Sequence, residues 1–198
     1  MKLPVLHVTH KFSRVPADAL CIDTTASKGK WSELSPFILP GGALYGTYHA
    51  VRHENAWQFA KLYACHADWQ GEPTQAYWAW AQAGWLDPKA HRYPMGKGAR
   101  PLCSLWKGER LGYIEARKRI YAPLYARAVI QTAAFAELKD MLTHSGLDIY
   151  LRDWDGYDHL VNNLTISEVA NNPKRKMGHA FVLWALLMNQ YDNLVQEA

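Results

Sequence analysis

A chain of 198 residues, 49% apolar and 20% charged, is long enough to bury a sizeable core and too apolar to be a disordered segment. The net charge of +4 is mild, and the three cysteines, Cys21, Cys65 and Cys103, have neither the pairing of a disulfide framework nor the spacing of a zinc knuckle. Aromatics make up 13%, nine of them Trp, which fits either a Trp-rich core or rings that stack on flat ligands.

The opening MKLPVLHVTHKF has no continuous apolar run, so no secretory signal is expected, and unpaired thiols place the chain in the cytoplasm. Residues 18–23, DALCID, read as a short strand, and LSPFILPGG over 34–42 reads as an ordered loop. Ala56, Phe59, Ala60 and Tyr63 recur at i, i+3, i+4 and i+7, which predicts a helix from Glu54 to about His66. A second helix is expected from about Pro73 to Trp85. Proline and glycine punctuate residues 87–108 so densely that no regular structure is expected there. Helices follow over 110–121 and from Pro123 to about Thr143, with Gly146 closing the run. LDIYLRD, β-branched and aromatic, reads as a strand. Asn172-Pro173 opens a last helix with Met177, Ala180, Phe181 and Trp184 on one stripe; Val182 and Ala185 off that stripe predict burial on all sides. Its apolar run is too short to cross a bilayer, so no membrane partner is expected. The expected fold is mainly α: one compact helical domain over 1–198 with one or two short strands.

Three clusters carry candidate chemistry. Glu54, Trp57, Gln58 and Lys61 share a stripe if the helix runs as expected, placing a carboxylate, an indole, an amide and an ammonium together. The same stripe also fits a solvated helix flank. Asp153-Trp154-Asp155-Gly156-Tyr157-Asp158-His159 ends the expected strand with three carboxylates and an imidazole. It copies the DxDG order of haloacid-dehalogenase-like phosphatases, but the alternating strands and helices of that fold do not follow it. An EF-hand is excluded because Gly156 comes too early. The third cluster is Tyr93 to Pro101, where glycines flank Lys97 and Arg100 follows; between Asp87 and Arg119 basic residues outnumber acidic ones nine to three, a natural match to phosphate. No HExxH or other zinc spacing occurs among the nine histidines, so neither metal nor cofactor is expected.

Taken in order, these segments resemble the NADAR (YbiA-like) family. The early loop matches at Leu34-Ser35-Pro36-Phe37 and the leading helix at Glu54, Trp57, Gln58 and Lys61. Val129 to Thr132, Phe135, Leu138, Gly146 and the strand to Asp153 follow the family's order, Asp158 matches its second acid, and Gly178 to Leu187 match its closing helix. The chain departs from the pattern at Asn55, where the family has His, in lacking Trp-Gly after the second acid, and in an enlarged 87–119 segment. The resemblance implies a YbiA-like fold and cleavage of an N-glycosidic bond, releasing ADP-ribose from modified guanine in nucleic acid or hydrolysing a related nucleotide. It implies catalytic roles for Glu54, Lys61, Asp153 and Asp158. Substrate contacts are expected from Ser35, Phe37, Trp57, Gln58, Lys97, Arg100, Trp106 and Trp154. Another base- or nucleotide-modifying enzyme on a similar scaffold, or a non-catalytic nucleic-acid binder, also fits these residues.

Overall fold

The computed structural model describes residues 4–196. Helix accounts for 39% and strand for 15%, so the mainly helical expectation is overturned and the chain is an α/β mixture. Its contacts divide it into two compact units: the residues up to Ser35 with those from Tyr125 onward, and Pro36–Leu124. Among the described residues no helix is long and apolar enough to cross a membrane.

The first unit is built on a three-stranded parallel sheet. Ile149–Asp153 lies at its centre, flanked by Leu6–His10 and Leu20–Asp23, with Leu6 and Leu20 both opposite Ile149. The two strands expected at 18–23 and 147–153 are present. The Leu6–His10 strand was not foreseen, although Leu6 and Val8 alternate with His7 and Thr9 as a half-buried strand does. Ile149 and Leu151, on one face of the central strand, are fully buried, and the helix His179–Leu187, apolar except for His179, packs on the sheet: Phe181, Val182 and Leu183 are fully buried, and the Trp184 indole N–H donates to the Leu6 carbonyl at 2.7 Å. That helix begins after Gly178 rather than at Pro173. Thr132 separates the expected Pro123–Thr143 helix into two, its hydroxyl capping Ala133–His144 by accepting from the Phe135 N–H at 3.1 Å.

The second unit holds the short helix His53–Gln58, the helix Gln75–Leu86 and a three-stranded antiparallel sheet of Lys61–Leu62, Cys103–Trp106 and Glu109–Leu111. Cys103–Trp106 falls where only loop was expected, and Glu109–Leu111 replaces the start of the helix expected over 110–121. They are joined at Lys107-Gly108, both with positive φ (52° and 83°), a two-residue hairpin turn whose twist suits paired strands. Phe59, Tyr77, Trp85, Leu105 and Trp106 centre the core of this unit. Further on, Tyr113–Ala116 runs into a π-helical turn, Arg117–Tyr121, where the Ala122 N–H bonds to the Arg117 carbonyl. The widened turn absorbs Pro123, which has no N–H to give and whose ring would crowd the preceding turn.

Candidate functional site

Glu54 sits in the first turn of His53–Gln58, its backbone N–H donating to the Pro36 carbonyl at 3.0 Å. The helix stops at Gln58, so Lys61 is not on it and the expected i+7 stripe does not exist. The contact forms by another route. The chain after Ala60 turns into the Lys61–Leu62 strand, and from there the Lys61 ammonium donates to Gln58 Oε1 at 2.7 Å. Gln58 in turn donates from Nε2 to Glu54 Oε1 at 2.8 Å, the i,i+4 contact that its spacing predicts. Glu54 is 5% exposed and Gln58 7%, so the carboxylate and amide are held out of bulk water while the ammonium stands at the half-buried end.

Trp57 is half-buried beside this relay. Lys61 Nζ lies 4.6 Å from its ring centroid and Tyr121 packs edge-on at 5.3 Å. One face of the indole is therefore already occupied by a cation. Asn55, where the resembled family has His, is fully buried; its amide donates to the carbonyls of Asp87 and Lys89 and accepts from the His91 N–H. Sequence reasoning missed this role, although a buried Asn beside a proline-rich loop is a recognisable signal for one side chain holding irregular backbone. Trp106 is a correction. It is 5% exposed, edge-on to Tyr45 at 4.9 Å within the core, and has no face to offer a base.

The basic segment is less uniform than its composition. Arg119 forms a two-pronged ion pair with Glu109 (2.6 and 2.9 Å), Arg110 donates to the Gly71 carbonyl and pairs with Glu72, and Arg117 and Lys118 are buried. Lys97 and Arg100 are exposed, in a loop where Gly96 and Gly98 take the left-handed backbone that other residues avoid. Phe37 is exposed in this unit, whereas Ser35, in the other unit, is buried at the end of the turn Lys30–Leu34.

In the first unit Asp153 ends the central strand, 3% exposed. Its Oδ2 accepts from the Ala180 N–H at 3.0 Å and lies 3.1 Å from His179 Nδ1, while Oδ1 accepts from the Asp155 N–H at 3.0 Å. His179 Nε2 reaches the Thr24 carbonyl at 2.9 Å. Gly178 is required for this approach, since a Cβ there would fall 2.2 Å from Asp153 Oδ2. The Asp153 carboxylate thus ties the sheet to the start of the helix His179–Leu187, where the helix dipole favours a negative charge. Burial, aided by the Asp153 charge, drives the Tyr125 hydroxyl pKa well above its ordinary value. Asp158 is more open. Its Oδ2 pairs with His7 Nδ1 at 2.8 Å, and Oδ1 accepts from the N–H groups of Leu160 and Val161. Trp154 is 42% exposed. Among the described residues no three His, Cys, Asp or Glu side chains form a group able to hold a metal ion. No protein-family model matches the sequence, and neither a curated protein nor a solved structure matches it.

Proposed function

We propose that the chain is an N-glycosidase that breaks the bond between a ribose C1′ and a base nitrogen, acting on an ADP-ribosylated guanine in nucleic acid or a related nucleotide. The observation that carries this reading is the Glu54–Gln58–Lys61 relay, with its carboxylate and amide buried and its ammonium half-buried. When the C1′–N bond breaks, its electron pair leaves with the base, which takes up a proton, and the positive charge that gathers on the ribose is quenched as water adds at C1′ and gives up a proton. A carboxylate fixed in a site of low polarity stabilises that charge without first reorganising. Gln58 does the fixing: its oxygen is committed to an ammonium, which leaves its N–H pointed at Glu54 and forbids the flipped amide. Lys61, at the outer end of the relay, suits the negative charge that develops on the departing base. Both later acids are engaged within their own unit, Asp153 by backbone N–H groups and His179, Asp158 by His7 and the N–H groups of Leu160 and Val161. The pairing and burial of most basic residues over 109–119 weigh against a purely electrostatic binder.

The test is release of ADP-ribose from a modified oligonucleotide, followed by mass spectrometry, for the parent protein and Glu54→Gln. The substitution keeps the side chain's size and lowers turnover by about 10²-fold or more, with the circular dichroism spectrum unchanged. Equal turnover removes Glu54 from the reaction.

A further inference from the structure

Two parallel strands, Leu6–His10 and Ile149–Asp153, deliver their carboxyl ends to one edge of the sheet, the edge at which open α/β sheets bind ligands. The chain segments leaving that edge are pinned. The Lys11 N–H donates to the Asp153 carbonyl at 2.9 Å, the Ser13 N–H to the His10 carbonyl at 2.9 Å, and Arg152 Nη2 to the Ser13 carbonyl at 3.3 Å. Beyond the end of the neighbouring strand, Gly156 lets the 154–157 loop lie against the first strand, where a Cβ would come within 2.3 Å of the Thr9 carbonyl oxygen. These constraints bring the rings of Phe12 and Trp154 to 5.2 Å, nearly perpendicular, with His10 edge-on to both.

The backbone is held, yet the rings are not buried: Phe12 is 71% exposed and Trp154 42%. Packing gives no reason to order two large apolar rings at an open edge. Cations surround them. Lys11 Nζ lies 4.9 Å above the Trp154 ring, Arg175 lies 3.9 Å from the Tyr157 ring at the far end of the same loop, and exposed Arg14 follows Phe12 by two residues. The acids facing this edge are Asp23, paired with Lys11 at 3.3 Å, and Asp155. A protein partner would favour an apolar surround to such rings. Alternating rings and cations suit a polymer of flat faces joined by anions, and every unpaired base offers a flat face where a duplex hides it.

We infer that the His10–Ser13 turn and the Trp154–Tyr157 loop form a stacking platform for single-stranded nucleic acid. The inference deepens the N-glycosidase reading and rests on it in taking the strand as substrate; binding itself is measured without turnover.

Fluorescence anisotropy of a labelled, unmodified oligothymidylate, with Glu54→Gln as the parent protein, tests the platform. Phe12→Ala and Trp154→Ala each weaken binding about tenfold or more. Added salt weakens the parent, the duplex binds less tightly than the single strand, and strand addition quenches Trp emission less in Trp154→Ala. Unchanged affinity in both alanine variants overturns the inference, as does equal affinity for duplex and single strand. So does light scattering that shows a dimer of the parent dissolved by Phe12→Ala, which assigns the rings to a second copy of the chain. The exposed positions of both rings keep the variants folded. The two readings fail separately: turnover retained in Glu54→Gln sinks the catalytic role whatever the affinity, and unaltered affinity sinks the platform whatever the turnover.

Discussion

Asn55 satisfies three backbone groups at once. Its Nδ2 donates to the Asp87 carbonyl at 3.0 Å and to that of Lys89 at 2.9 Å, and its Oδ1 accepts from the His91 N–H at 2.8 Å. An imidazole has one donor and one acceptor in its neutral form and cannot replace this set. Asn55→Ala lowers unfolding stability by about 2–4 kcal/mol, at roughly 1 kcal/mol for each bond plus the cost of orphaned backbone groups. Urea denaturation reads this as a lower midpoint at unchanged slope. A midpoint that does not move shows the 87–91 segment to be held by other contacts. The candidate residues divide by the range of the signal that pointed to them. Gln58 meets Glu54 because i,i+4 geometry is local, so that pair was legible. Lys61 meets Gln58 through a chain reversal that no helical periodicity contains. Trp106 was expected at a ligand because Trp serves both cores and stacking sites, and only burial separates the two uses.

At the scale of elements, Gly84 shows how tightly the helix Gln75–Leu86 docks on the segment leaving His53–Gln58. A Cβ at Gly84 would lie 2.0 Å from the Phe59 ring. Alanine raises intrinsic helix propensity by about 1 kcal/mol, and at an exposed helical glycine that gain would prevail. Here Phe59 is 5% exposed with Trp80 packed beside it at 4.7 Å, so the ring has nowhere to retreat. Gly84→Ala is therefore net destabilising by about 1–3 kcal/mol, measured by thermal or urea unfolding; a rise in stability would show that the ring moves freely. The same contact explains why the helix expected from Glu54 to His66 is short. Its apolar spacing is real, and Ala56, Phe59, Ala60 and Tyr63 are all buried. Its backbone bonds go elsewhere. Tyr77 donates its hydroxyl to the carbonyls of Phe59 and Ala60, the Leu105 N–H donates to Ala60, and Lys61 pairs with Ser104. These partners lie far along the chain, so a local pattern foretold the burial and not the conformation. The Lys107-Gly108 hairpin was locally legible, being two residues able to take positive φ between Trp106 and Glu109. The density of Pro and Gly before it masked that signal. Strand Leu6–His10 carries a short alternation, Leu6 and Val8 against His7 and Thr9, and it is paired along its whole length with Ile149–Asp153.

Stability of the molecule as a whole carries a signature of His159. Its side chain is fully buried, edge-on to Trp184 at 4.5 Å and near Phe181 at 5.6 Å, and neither ring nitrogen has a hydrogen-bond partner among the described residues. A neutral imidazole tolerates such a place; an imidazolium does not. Burial accordingly lowers the His159 pKa below its ordinary value; the Asp158 charge opposes that shift and His7 adds to it. The unfolded chain, with an ordinary pKa near 6.5, takes up a proton that the folded chain resists. Between that value and the lowered folded one the unfolded state binds more protons, so stability falls as pH falls. Above about pH 6.5 both states are neutral at this position and it contributes no slope. His159→Phe keeps a ring against Trp184 and has nothing to protonate, so its urea midpoint declines less than the parent's as pH drops from about 7 to about 5. Asp158→Asn removes the opposing carboxylate and steepens the decline. The comparison at each pH subtracts the other eight histidines, which both proteins share. Parallel profiles for parent and His159→Phe would mean that the imidazole finds a proton acceptor on charging, and would place the acid sensitivity of the fold on the carboxylates and the other histidines.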